Sequence, residues 1–492
     1  MQEESWADRS AAGVTLEFSV NRPHVLRLIE QKVASGQLEN SSGEPVMSAA
    51  WNRRFVLGAA AAAVSGITGL RADSRPSVIN SRATDGDNRF EPDWDEKLTI
   101  TVGTKTGDLI GNGDKVIQAA VDYAGRVGGG TVRLLPGTYT LRNAIHLPSD
   151  IRLLGSGEET RITRGPSETI ALAEDSDWYD QEITLENVGN FRVGDGVTLR
   201  TANAHHGGQV VIKRTLLARS GNRFKLSDGL RENLWLSGKP QCSSLFPLLT
   251  SERTADVVVE GLTLDGNKDN CENLDGNYGG CIFLQDCNRY TIRNVTARNY
   301  NGDGISFQIC HDVVVENCHS QDNADLGVHP GSGSQRPLIR DNRLERNNLG
   351  LFWCWGVKFG LAERNHIDAS RTYGISIGHN DTDNVMRNNR ISNSGKVGLL
   401  FRDDARGRDF WPNRNLVERN HISNSGGPDG VGIDITGRTK DVRIIGNQIV
   451  ENRGAMQRSG IRMARDVGAV ELKDNTISGF QTAVADHRIS SG

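Results

Sequence analysis

The sequence predicts an all-β chain wound into a parallel β-helix, and three observations lead to that fold class. Asparagine recurs in steps of 23 to 31 residues, at Asn294, Asn317, Asn342, Asn365, Asn389, Asn420, Asn447 and Asn475. A glycine followed by alternating apolar residues keeps the same period, as in Gly304-Ile-Ser-Phe-Gln and Gly374-Ile-Ser-Ile. Each repeat of about 24 residues holds short runs with the two-residue alternation of strands and has no room for an amphipathic helix.

The recurring asparagines have a mechanical explanation in such a solenoid. A side-chain amide can satisfy backbone groups of a turn and bond to its copy in the next coil. Asparagine also tolerates the left-handed backbone conformation that tight turns require. We therefore expect all eight asparagines to form a ladder between neighbouring coils.

The part of the chain that precedes these repeats carries two further motifs. They are Gly107-Asp-Leu-Ile-Gly-Asn-Gly-Asp-Lys-Val-Ile-Gln-Ala-Ala-Val and Gly128-Gly-Gly-Thr-Val-Arg-Leu-Leu-Pro-Gly-Thr-Tyr. With the repeats, they resemble the right-handed parallel β-helix proteins of the pectate-lyase-like superfamily, over roughly residues 99–485. The resemblance implies a right-handed winding and a polysaccharide as partner, since the superfamily includes polysaccharide lyases, glycoside hydrolases, uronan epimerases and phage tailspikes. A shared fold does not fix the chemistry.

The best-known catalytic motifs of that superfamily are not present as sets. Polygalacturonases carry Asn-Thr-Asp, Asp-Asp and Gly-His-Gly, of which only Asp403-Asp404 occurs here. Alginate epimerases carry Asp-Pro-His, whereas this chain has the reverse order at His329-Pro330. The resemblance therefore favours an exported carbohydrate-active enzyme, a polysaccharide lyase or glycoside hydrolase, and leaves a uronan epimerase or a non-catalytic glycan-binding protein as alternatives.

The N-terminal region predicts export. Residues 1–50 are polar and predict a disordered or mis-annotated extension, with Met47 as a second candidate start. Residues 51–72 join Arg53-Arg54 to a weakly apolar run, which is typical of a twin-arginine signal and too short for a membrane span of ~20 residues. Residues 73–95 are a polar linker before the β-helix domain of residues 96–490. We expect a periplasmic or extracellular protein with no integral membrane segment.

Two parts of the domain depart from the regular coils. Residues 114–124 have apolar positions at helical spacing and predict a helix, N-capped by Asp114, that covers the open N-terminal end of the solenoid. Residues 165–250 break the period and predict an inserted antiparallel β-excursion over one face. Its aromatic residues, among them Trp178, Tyr179 and Trp235, could either stack on sugar rings or pack the excursion onto the β-helix.

Charge and cysteine content narrow the partners. The net charge is −4 and no basic stripe is present, so nucleic acid is not an expected partner. Separately, we expect the protein to be a monomer or a trimer. No cysteine pair has zinc spacing, and the acidic loop 265–278 predicts a solvated turn rather than a cation site. Cys287 and Cys310 should stack ~4.8 Å apart in adjacent coils as small buried side chains. No metal site or certain cofactor is predicted.

Strand alternation locates the candidate site. In the Gly-led strands the first and third residues after the glycine are apolar and face the core, so the second and fourth face outward, and Trp353 belongs inside. One outer face thereby collects aromatic rings, imidazoles, carboxylates and guanidinium groups. The catalytic candidates on this face are His379, Asp403, Asp404, Asp381, Arg402 and His329. The substrate-binding candidates are Trp355, Phe352, Lys358, Gln308, Asp434 and Arg406.

Three functions use this face differently. A glycoside hydrolase would use Asp381 and Asp403, with Cα atoms ~8 Å apart, as its acid and base. A uronan lyase or epimerase would use His329, His379 or Lys358 as base and Arg402 to neutralise the sugar carboxylate, and a lyase would add a bound Ca²⁺. A binding protein would grip glycan by stacking alone. His379 and Asp403 occupy equal positions in successive coils and are expected to pair.

Overall fold

The structure is a computed structural model that describes residues 75–76, 91–203, 205–454 and 456–488. The predicted extension 1–50, the predicted signal 51–72 and most of the linker 73–95 lie outside the described residues. None of the helices within the described ranges is long and apolar enough to cross a membrane.

The N-terminal end of the solenoid is covered by one helix, as predicted. Helix α1 (Asp114–Arg126) buries Ile117, Ala120, Val121 and Ala124 against the first strands. Its N-cap is Gly113 rather than Asp114, which lies in the first turn and accepts a hydrogen bond from the backbone N–H of Arg142 at 2.9 Å. The carboxylate therefore ties the helix to a neighbouring coil instead of capping it.

Each regular coil contributes two short strands to one parallel sheet, called sheet A, and one strand to a second parallel sheet, called sheet B. Strands are numbered in chain order. In the described residues sheet A consists of β1 (Leu98–Gly103), β2 (Leu109–Ile110), β3 (Gly130–Leu134), β4 (Gly137–Leu141), β6 (Ile151–Arg164), β14 (Ala255–Asp265), β16 (Asn288–Arg293), β17 (Thr296–Arg298), β19 (Val314–Glu316), β20 (His319–Gln321), β22 (Leu338–Arg340), β23 (Arg343–Glu345), β25 (Leu361–Glu363), β26 (His366–Asp368), β28 (Val385–Arg387), β29 (Arg390–Ser392), β31 (Leu416–Glu418), β32 (His421–Ser423), β34 (Val442–Ile445), β35 (Gln448–Val450), β37 (Val470–Lys473) and β38 (Thr476–Ser478).

Sheet B positions the candidate site. Its described strands are β5 (Ile145–His146), β13 (Leu249–Glu252), β15 (Gly280–Gln285), β18 (Asp303–Gln308), β21 (Leu326–Pro330), β24 (Leu349–Phe352), β27 (Tyr373–Ile377), β30 (Val397–Phe401), β33 (Val431–Ile435), β36 (Ser459–Met463) and β39 (Thr482–Asp486). Ile375 lies opposite Leu399 in the next coil, which agrees with the predicted repeat. The residues that the alternation places inward, such as Phe307, Trp353 and Phe401, are fully buried.

The inserted β-excursion is confirmed as a separate antiparallel sheet, called sheet C. It consists of β7 (Thr169–Ala171), β8 (Glu182–Thr184), β9 (Gly196–Ala202), β10 (Gln209–Ser220), β11 (Arg223–Leu226) and β12 (Gln241–Ser243). Leu199, Phe224 and Leu226 belong to its own apolar core, distinct from the core inside the coils. Trp178 and Tyr179 are exposed on this excursion, so they do not pack it onto the β-helix.

The asparagine ladder is present, but it begins later than predicted. From Asn342 through Asn365, Asn389, Asn420 and Asn447 to Asn475, each backbone N–H and each side-chain amide donates to the next Oδ1 at 2.9–3.1 Å. Asn294 and Asn317 are instead exposed residues with φ of 54° and 52°, one place earlier in their turns. Val295 and Cys318 hold the ladder position there. The prediction was wrong for Asn294 and Asn317 because the sequence period locates each turn but does not show which of two consecutive turn residues occupies the ladder position.

The cysteines remain free thiols, as expected for small buried side chains. The backbone N–H of Cys287 points at Sγ of Cys310 at 3.4 Å in the next coil. Only Cys271 and Cys354 are partly exposed, and both therefore differ from the buried thiols of the coil stack.

Candidate active site on the outer face of sheet B

Two rows of side chains cover the outer face of sheet B. Strand register places the first row at Phe283, Ser306, His329, Phe352, Ser376, Leu400, Asp434 and Arg462. The second row, two residues further along each strand, runs through Gln285, Gln308, Gly331, Cys354, Gly378 and Arg402. Equal positions in neighbouring coils lie ~4.8 Å apart, so each row presents its side chains as a line along the solenoid.

A buried ion pair lies at the centre of the first row. Nδ1 of His329 is 2.8 Å from Oδ2 of Asp303, and the backbone N–H of Leu326 donates to the other carboxylate oxygen at 3.0 Å. Ser306 Oγ lies 3.3 Å from the same imidazole nitrogen and donates to the carbonyl of Gly276. The loop at Gly276 approaches so closely that a Cβ there would collide with Asp303, and this loop covers the pair.

The pair fixes the charge of the imidazole. Burial alone lowers the pKa of His329, but the hydrogen bond to Asp303 and the electrostatic influence of Cys354 outweigh burial and raise that pKa to about 10. Burial likewise raises the pKa of Asp303, and the imidazolium opposes that rise. We take the pair as ionised because a 2.8 Å charge-assisted hydrogen bond joins it. His329 was predicted as an accessible base, and this was wrong because it is buried and holds its proton at neutral pH.

Arg402 reaches across the second row towards the coil of Cys354. Its Nη1 donates to Ser376 Oγ at 2.8 Å and its Nη2 to the carbonyl of Trp353 at 3.0 Å. The guanidinium carbon lies 4.3 Å from the centre of the Phe352 ring. A Cβ at Gly378 would collide with this side chain, so the glycine creates the passage that Arg402 uses.

An aromatic pocket flanks the guanidinium on the C-terminal side. The ring of His379 lies 4.9 Å from that of Trp355 and 5.3 Å from that of Phe410, and the guanidinium of Arg406 lies 4.5 Å from the Trp355 ring. The backbone N–H of Arg406 donates to Nδ1 of His379 at 2.9 Å. Because Nδ1 accepts this N–H, the proton of the imidazole lies on Nε2, so this nitrogen is a hydrogen-bond donor.

The expected hydrolase pair does not form. Asp381 is fully buried, and its carboxylate accepts hydrogen bonds from the backbone N–H groups of Gly356, Val357 and Gly378 at 2.8–2.9 Å. Burial raises the pKa of this carboxyl while Arg402 and these N–H groups oppose the rise. Asp381 was predicted to face the substrate, and this was wrong because three turn donors hold it inside.

The expected pairing of His379 with Asp403 is also absent from the described residues. Asp403 is exposed, and no hydrogen bond or ion pair joins it to another described side chain. Asp404 lies 3.6 Å from Nε of Arg406 and 4.0 Å from Nε of Arg402, so it holds both guanidinium groups loosely. A loop that includes residues 403–412 lengthens this coil, and the backbone of Arg406 in that loop, not Asp403, bonds to the ring.

Three further predicted substrate-binding residues, Lys358, Asp434 and Gln308, all make hydrogen bonds within the protein, but they differ in how close they lie to the central cluster. Lys358 donates from Nζ to Asn380 Oδ1 at 3.2 Å and to Thr382 Oγ1 at 3.1 Å along the turn. Asp434 is buried beneath Arg462, with two hydrogen bonds of 2.9 and 2.5 Å. Gln308 lies over Gly331 and donates to Ser306 Oγ at 3.3 Å. Of these three, only Gln308 borders the central cluster.

Sequence reasoning missed Asp303, Ser306, Ser376, Cys354 and Phe410. Ser306, Ser376 and Cys354 were placed outward by the alternation but given no role. Asp303 could have been found, because it precedes its glycine at a place where the other coils carry Leu326, Leu349, Tyr373, Val397, Val431 and Ser459. It is the one charged residue in that series. Phe410 enters from the long loop, and no spacing predicts its contact with His379.

The outer face continues into a cleft under the excursion. The cleft has a volume of about 580 Å³ and is lined by His146, Lys213, Phe283, Tyr278 and Gln308, among others. Nζ of Lys213 lies 3.7 Å from the centre of the Phe283 ring. Burial lowers the pKa of Lys213 to about 8, and burial together with Lys213 lowers that of His146. In the described residues no group of three or more His, Cys, Asp or Glu side chains is placed to hold a metal ion.

The match to a known family agrees with this architecture. Residues 260–407 match the family described as "Right handed beta helix region". The chain is 25% identical over 295 residues to the mannuronan C5-epimerase AlgE1 of Azotobacter vinelandii, and the match covers 60% of this chain and 15% of that relative. The A-module of the mannuronan C-5 epimerase AlgE4 of the same organism superposes with a TM-score of 0.45 and 17% identity, covering 80% of this chain and 100% of that chain. The tailspike gp61 of Pseudomonas phage phi297 superposes with a TM-score of 0.42 and 12% identity, covering 75% of this chain and 68% of that chain. The family match and the parallel sheets identify the fold as a right-handed parallel β-helix.

Proposed function

We propose that this protein acts on a uronic acid polysaccharide and removes the proton at C5, the carbon next to the sugar carboxyl group. The observation that carries the proposal is the position of Arg402 on the outer face. Its hydrogen bonds to Ser376 and Trp353 use two of the five N–H donors of a guanidinium, and its carboxylate neighbours Asp381 and Asp404 lie 3.7 and 4.0 Å away, beyond hydrogen-bond distance, so further donors are not used in hydrogen bonds to these carboxylates. Removing a proton next to a carboxylate adds negative charge to that group, and a preorganised cation stabilises the charge.

The surroundings of Arg402 suit a polysaccharide that runs along the rows. Phe352, Trp355 and Phe410 offer partly exposed rings for stacking against sugar faces. The imidazole of His379 presents an Nε2–H donor beside them, because its Nδ1 accepts the backbone N–H of Arg406. At the other end, the cleft with Lys213 supplies a further cation three coils away from Phe352. An extended anionic chain would therefore meet rings and cations along one line.

Glycoside hydrolysis is less well supported, since it needs two carboxyl groups that face the same bond. Asp303 is committed to His329, Asp381 to backbone N–H groups and Asp434 to Arg462. Asp403 and Asp404 are neighbours on one turn and do not flank a groove. The site thus offers a cation for a carboxylate more readily than an acid and a base for a glycosidic bond.

Two outcomes can follow removal of the C5 proton. Cleavage of the bond between C4 and its oxygen completes a β-elimination and gives an unsaturated sugar, the reaction of a polysaccharide lyase. Return of a proton to the opposite face completes an epimerisation. We favour elimination, since a single residue can take the C5 proton and then donate it to the departing oxygen. Epimerisation is the second candidate because the relative matched over 295 residues is a mannuronan C5-epimerase.

The test is an assay of the full chain on a panel of uronan and neutral polysaccharides, with and without a chelator to reveal any Ca²⁺ requirement. Ultraviolet absorbance reports elimination, nuclear magnetic resonance of the polymer reports epimerisation, and reducing-end release without absorbance reports hydrolysis. Arg402→Met should lower kcat/KM by about 100-fold or more. Arg443→Met, on exposed sheet A and paired with Glu471, is the matched control and should leave activity unchanged. Hydrolysis products, or binding without turnover, would contradict the proposal.

Export by the twin-arginine route forms part of the same proposal. Arg53 and Arg54 precede the apolar run, and a buried core helix would not need this arrangement. Replacement of both arginines by lysine should retain the protein in the cytoplasm of its host, whereas a change of Arg75 should not. Unchanged export of the double variant would contradict this route.

A further inference from the structure

The cleft under the excursion holds a cation that the surrounding residues leave without an anion. Nζ of Lys213 lies 3.7 Å from the centre of the Phe283 ring, and within the described ranges no hydrogen bond or ion pair joins it to another residue. Burial lowers the pKa of Lys213 to about 8, so the amine is still mostly protonated at neutral pH. Keeping a half-buried ammonium group without a counter-ion costs free energy, and an anionic ligand would remove that cost.

The Phe283 ring fixes the position of this ammonium group. The ring is buried, and a cation above an aromatic face is attracted by the electrons of the ring. The three N–H donors of Lys213 remain unused in hydrogen bonds to any residue that the structure describes. The charge is therefore placed by the protein but not neutralised by it.

The other charged residues that line the cleft are already committed or exposed. Arg214 donates to backbone carbonyls, and Arg231 and Glu252 each form an ion pair with a neighbour in the chain. Glu232 is exposed to solvent, where water and salt screen its charge. Lys213 is therefore the charged group of the cleft that is placed to bind a ligand.

The cleft has the size and lining of a site for a sugar. Its volume of about 580 Å³ lies within the range of roughly 300–1,000 Å³ that is usual for small-molecule sites. Asn277, Tyr278 and Gln285, all at least partly exposed, line it beside Lys213. An aromatic ring with amide groups around it suits a ligand that has apolar faces and hydroxyl groups at its edges.

The second row connects this cleft with the guanidinium of Arg402. Gln308 lines the cleft, and the following positions of the row are Gly331, Cys354 and Gly378. No side chain larger than that of a cysteine stands at these three positions, and Arg402 extends over Gly378. The row therefore offers a polysaccharide a low path from the cleft to Arg402.

Lys213 and Arg402 stand in the same relation to the first row. Nζ of Lys213 lies 3.7 Å from the centre of the Phe283 ring, and the guanidinium carbon of Arg402 lies 4.3 Å from that of Phe352. Phe283 and Phe352 are three coils apart. That separation is ~14 Å at the spacing of parallel strands, which corresponds to about three sugar units of an extended polysaccharide. One uronan chain can thus present a carboxylate to each cation.

We propose that the cleft is a subsite for a second acidic sugar of the same chain, in which Lys213 binds the sugar carboxylate about three units away from the sugar held at Arg402. This inference rests on the proposed function and adds a requirement for chain length. A trimer that places its reacting sugar at Arg402 is too short to reach Lys213, whereas a hexamer engages both cations. Lys213 is thereby a residue that determines specificity, and it takes no part in proton transfer.

The test measures kcat/KM on trimers and hexamers prepared from the uronan that the wild type converts. The wild type should prefer the hexamer by about tenfold or more, because the longer chain gains the contact with Lys213. Lys213→Met should lose this preference through a higher KM for the hexamer, with kcat and the value for the trimer unchanged. Lys225→Met, an exposed lysine of the same excursion outside the cleft, is the matched control and should behave as wild type.

A second variant separates charge from shape. Lys213→Arg keeps a cation in the cleft and should retain most of the hexamer preference, and circular dichroism checks the fold of each variant. A Lys213→Met variant that prefers the hexamer as strongly as the wild type overturns the inference and leaves the proposed function standing. A wild type that converts trimer and hexamer equally well does the same. A wild type that converts no uronan overturns the proposed function, and this inference with it.

Discussion

At the residue scale, Asp381 and Asp403, which were expected to act together as acid and base, lie in opposite environments. Asp381 accepts three backbone N–H bonds inside the turn, whereas Asp403 is exposed and unbonded to described side chains. Asp381→Ala should lower the free energy of unfolding by about 3 kcal/mol or more, because each orphaned buried donor costs about 1 kcal/mol or more. Asp403→Ala should change it by less than about 0.5 kcal/mol. Urea denaturation of both variants provides the measurement, and equal stabilities would show that the turn does not depend on Asp381.

The ion pair of His329 and Asp303 makes stability depend on pH. The folded pKa of His329, about 10, lies above the ordinary value of about 6.5. The pair's stabilisation is therefore fully present below about pH 6.5, declines as the pH rises, and is lost above about pH 10. Between these limits the folded state binds the extra proton, so the free energy of unfolding should fall with pH.

Urea denaturation at pH 7 and pH 9.5 measures this effect, and Asp303→Asn separates it from the titration of other groups. The variant removes the principal group that raises the His329 pKa, so its stability should fall less steeply over this range. Parallel curves for wild type and variant would mean that the imidazole does not hold its proton in the folded state.

Single residues were predictable where one rule decides them. Strand alternation correctly placed Trp353 inside and Phe352 outside. It could not show that backbone N–H groups capture Asp381, because that contact depends on the path of the turn. It also could not show the tautomer of His379, which an N–H from a loop of the next coil determines.

At the element scale, the ladder of buried amides holds the coils in register. Each asparagine satisfies one backbone N–H with its Oδ1, while its own amide also donates to a carbonyl of the preceding coil, as Asn389 does to Ala362 at 3.0 Å. A second stack of the same design joins Asn384 to Asn415. Such amides replace the water that turn groups would otherwise need.

Asn389→Ala should lower the free energy of unfolding by about 2–4 kcal/mol, because it leaves buried donors and acceptors of two coils without partners. Asn317→Gly is the matched control, since this exposed residue adopts a positive φ that glycine adopts freely. Its effect should stay below about 1 kcal/mol. Thermal denaturation of both variants tests the difference, and equal losses would mean that the ladder contributes no more than the exposed turn positions.

The period of the elements was readable from sequence, but their covering loops were not. Glycine and asparagine spacing gives the coil length because each coil repeats the same turn chemistry. The loop that carries Gly276 over Asp303, and the loop of residues 403–412 that brings Phe410 to His379, have no repeat and no fixed spacing. These two loops convert an open strand face into the candidate site.

At the scale of the whole molecule, the β-helix and the excursion bury separate cores. All residues of the second core, from Ile170 to Cys242, lie inside the excursion, and none of the buried residues of the first core lies between them in sequence. The interrupted period predicted the excursion itself, but not that it would bury a core of its own. The cleft between the β-helix and the excursion could not be predicted from the sequence, because it depends on how β10 folds back over Phe283.

The separate cores predict that the excursion can be removed. Thr169 and Ser243 lie directly opposite each other in the antiparallel pair of β7 and β12, so an Asn-Gly turn can join them in place of residues 170–242. The neighbouring backbone bond from Ser244 to Glu168 at 2.9 Å and the bond from Arg164 to the carbonyl of Phe246 at 3.1 Å remain available. The shortened protein should keep its β-rich circular dichroism spectrum and one cooperative thermal transition.

The excision also separates folding from substrate binding. It removes Lys213 and the roof of the cleft but leaves Phe352 and Arg402 in place, since neither of them lines the cleft. KM for a long uronan should therefore rise by about tenfold or more, the effect of losing roughly 1.4 kcal/mol of binding, while kcat stays within about twofold. A shortened protein that unfolds without cooperativity would show that the coils depend on the excursion. One that folds but loses kcat would place the reacting sugar under sheet C, where Lys213 and His146 lie, instead of beside Arg402.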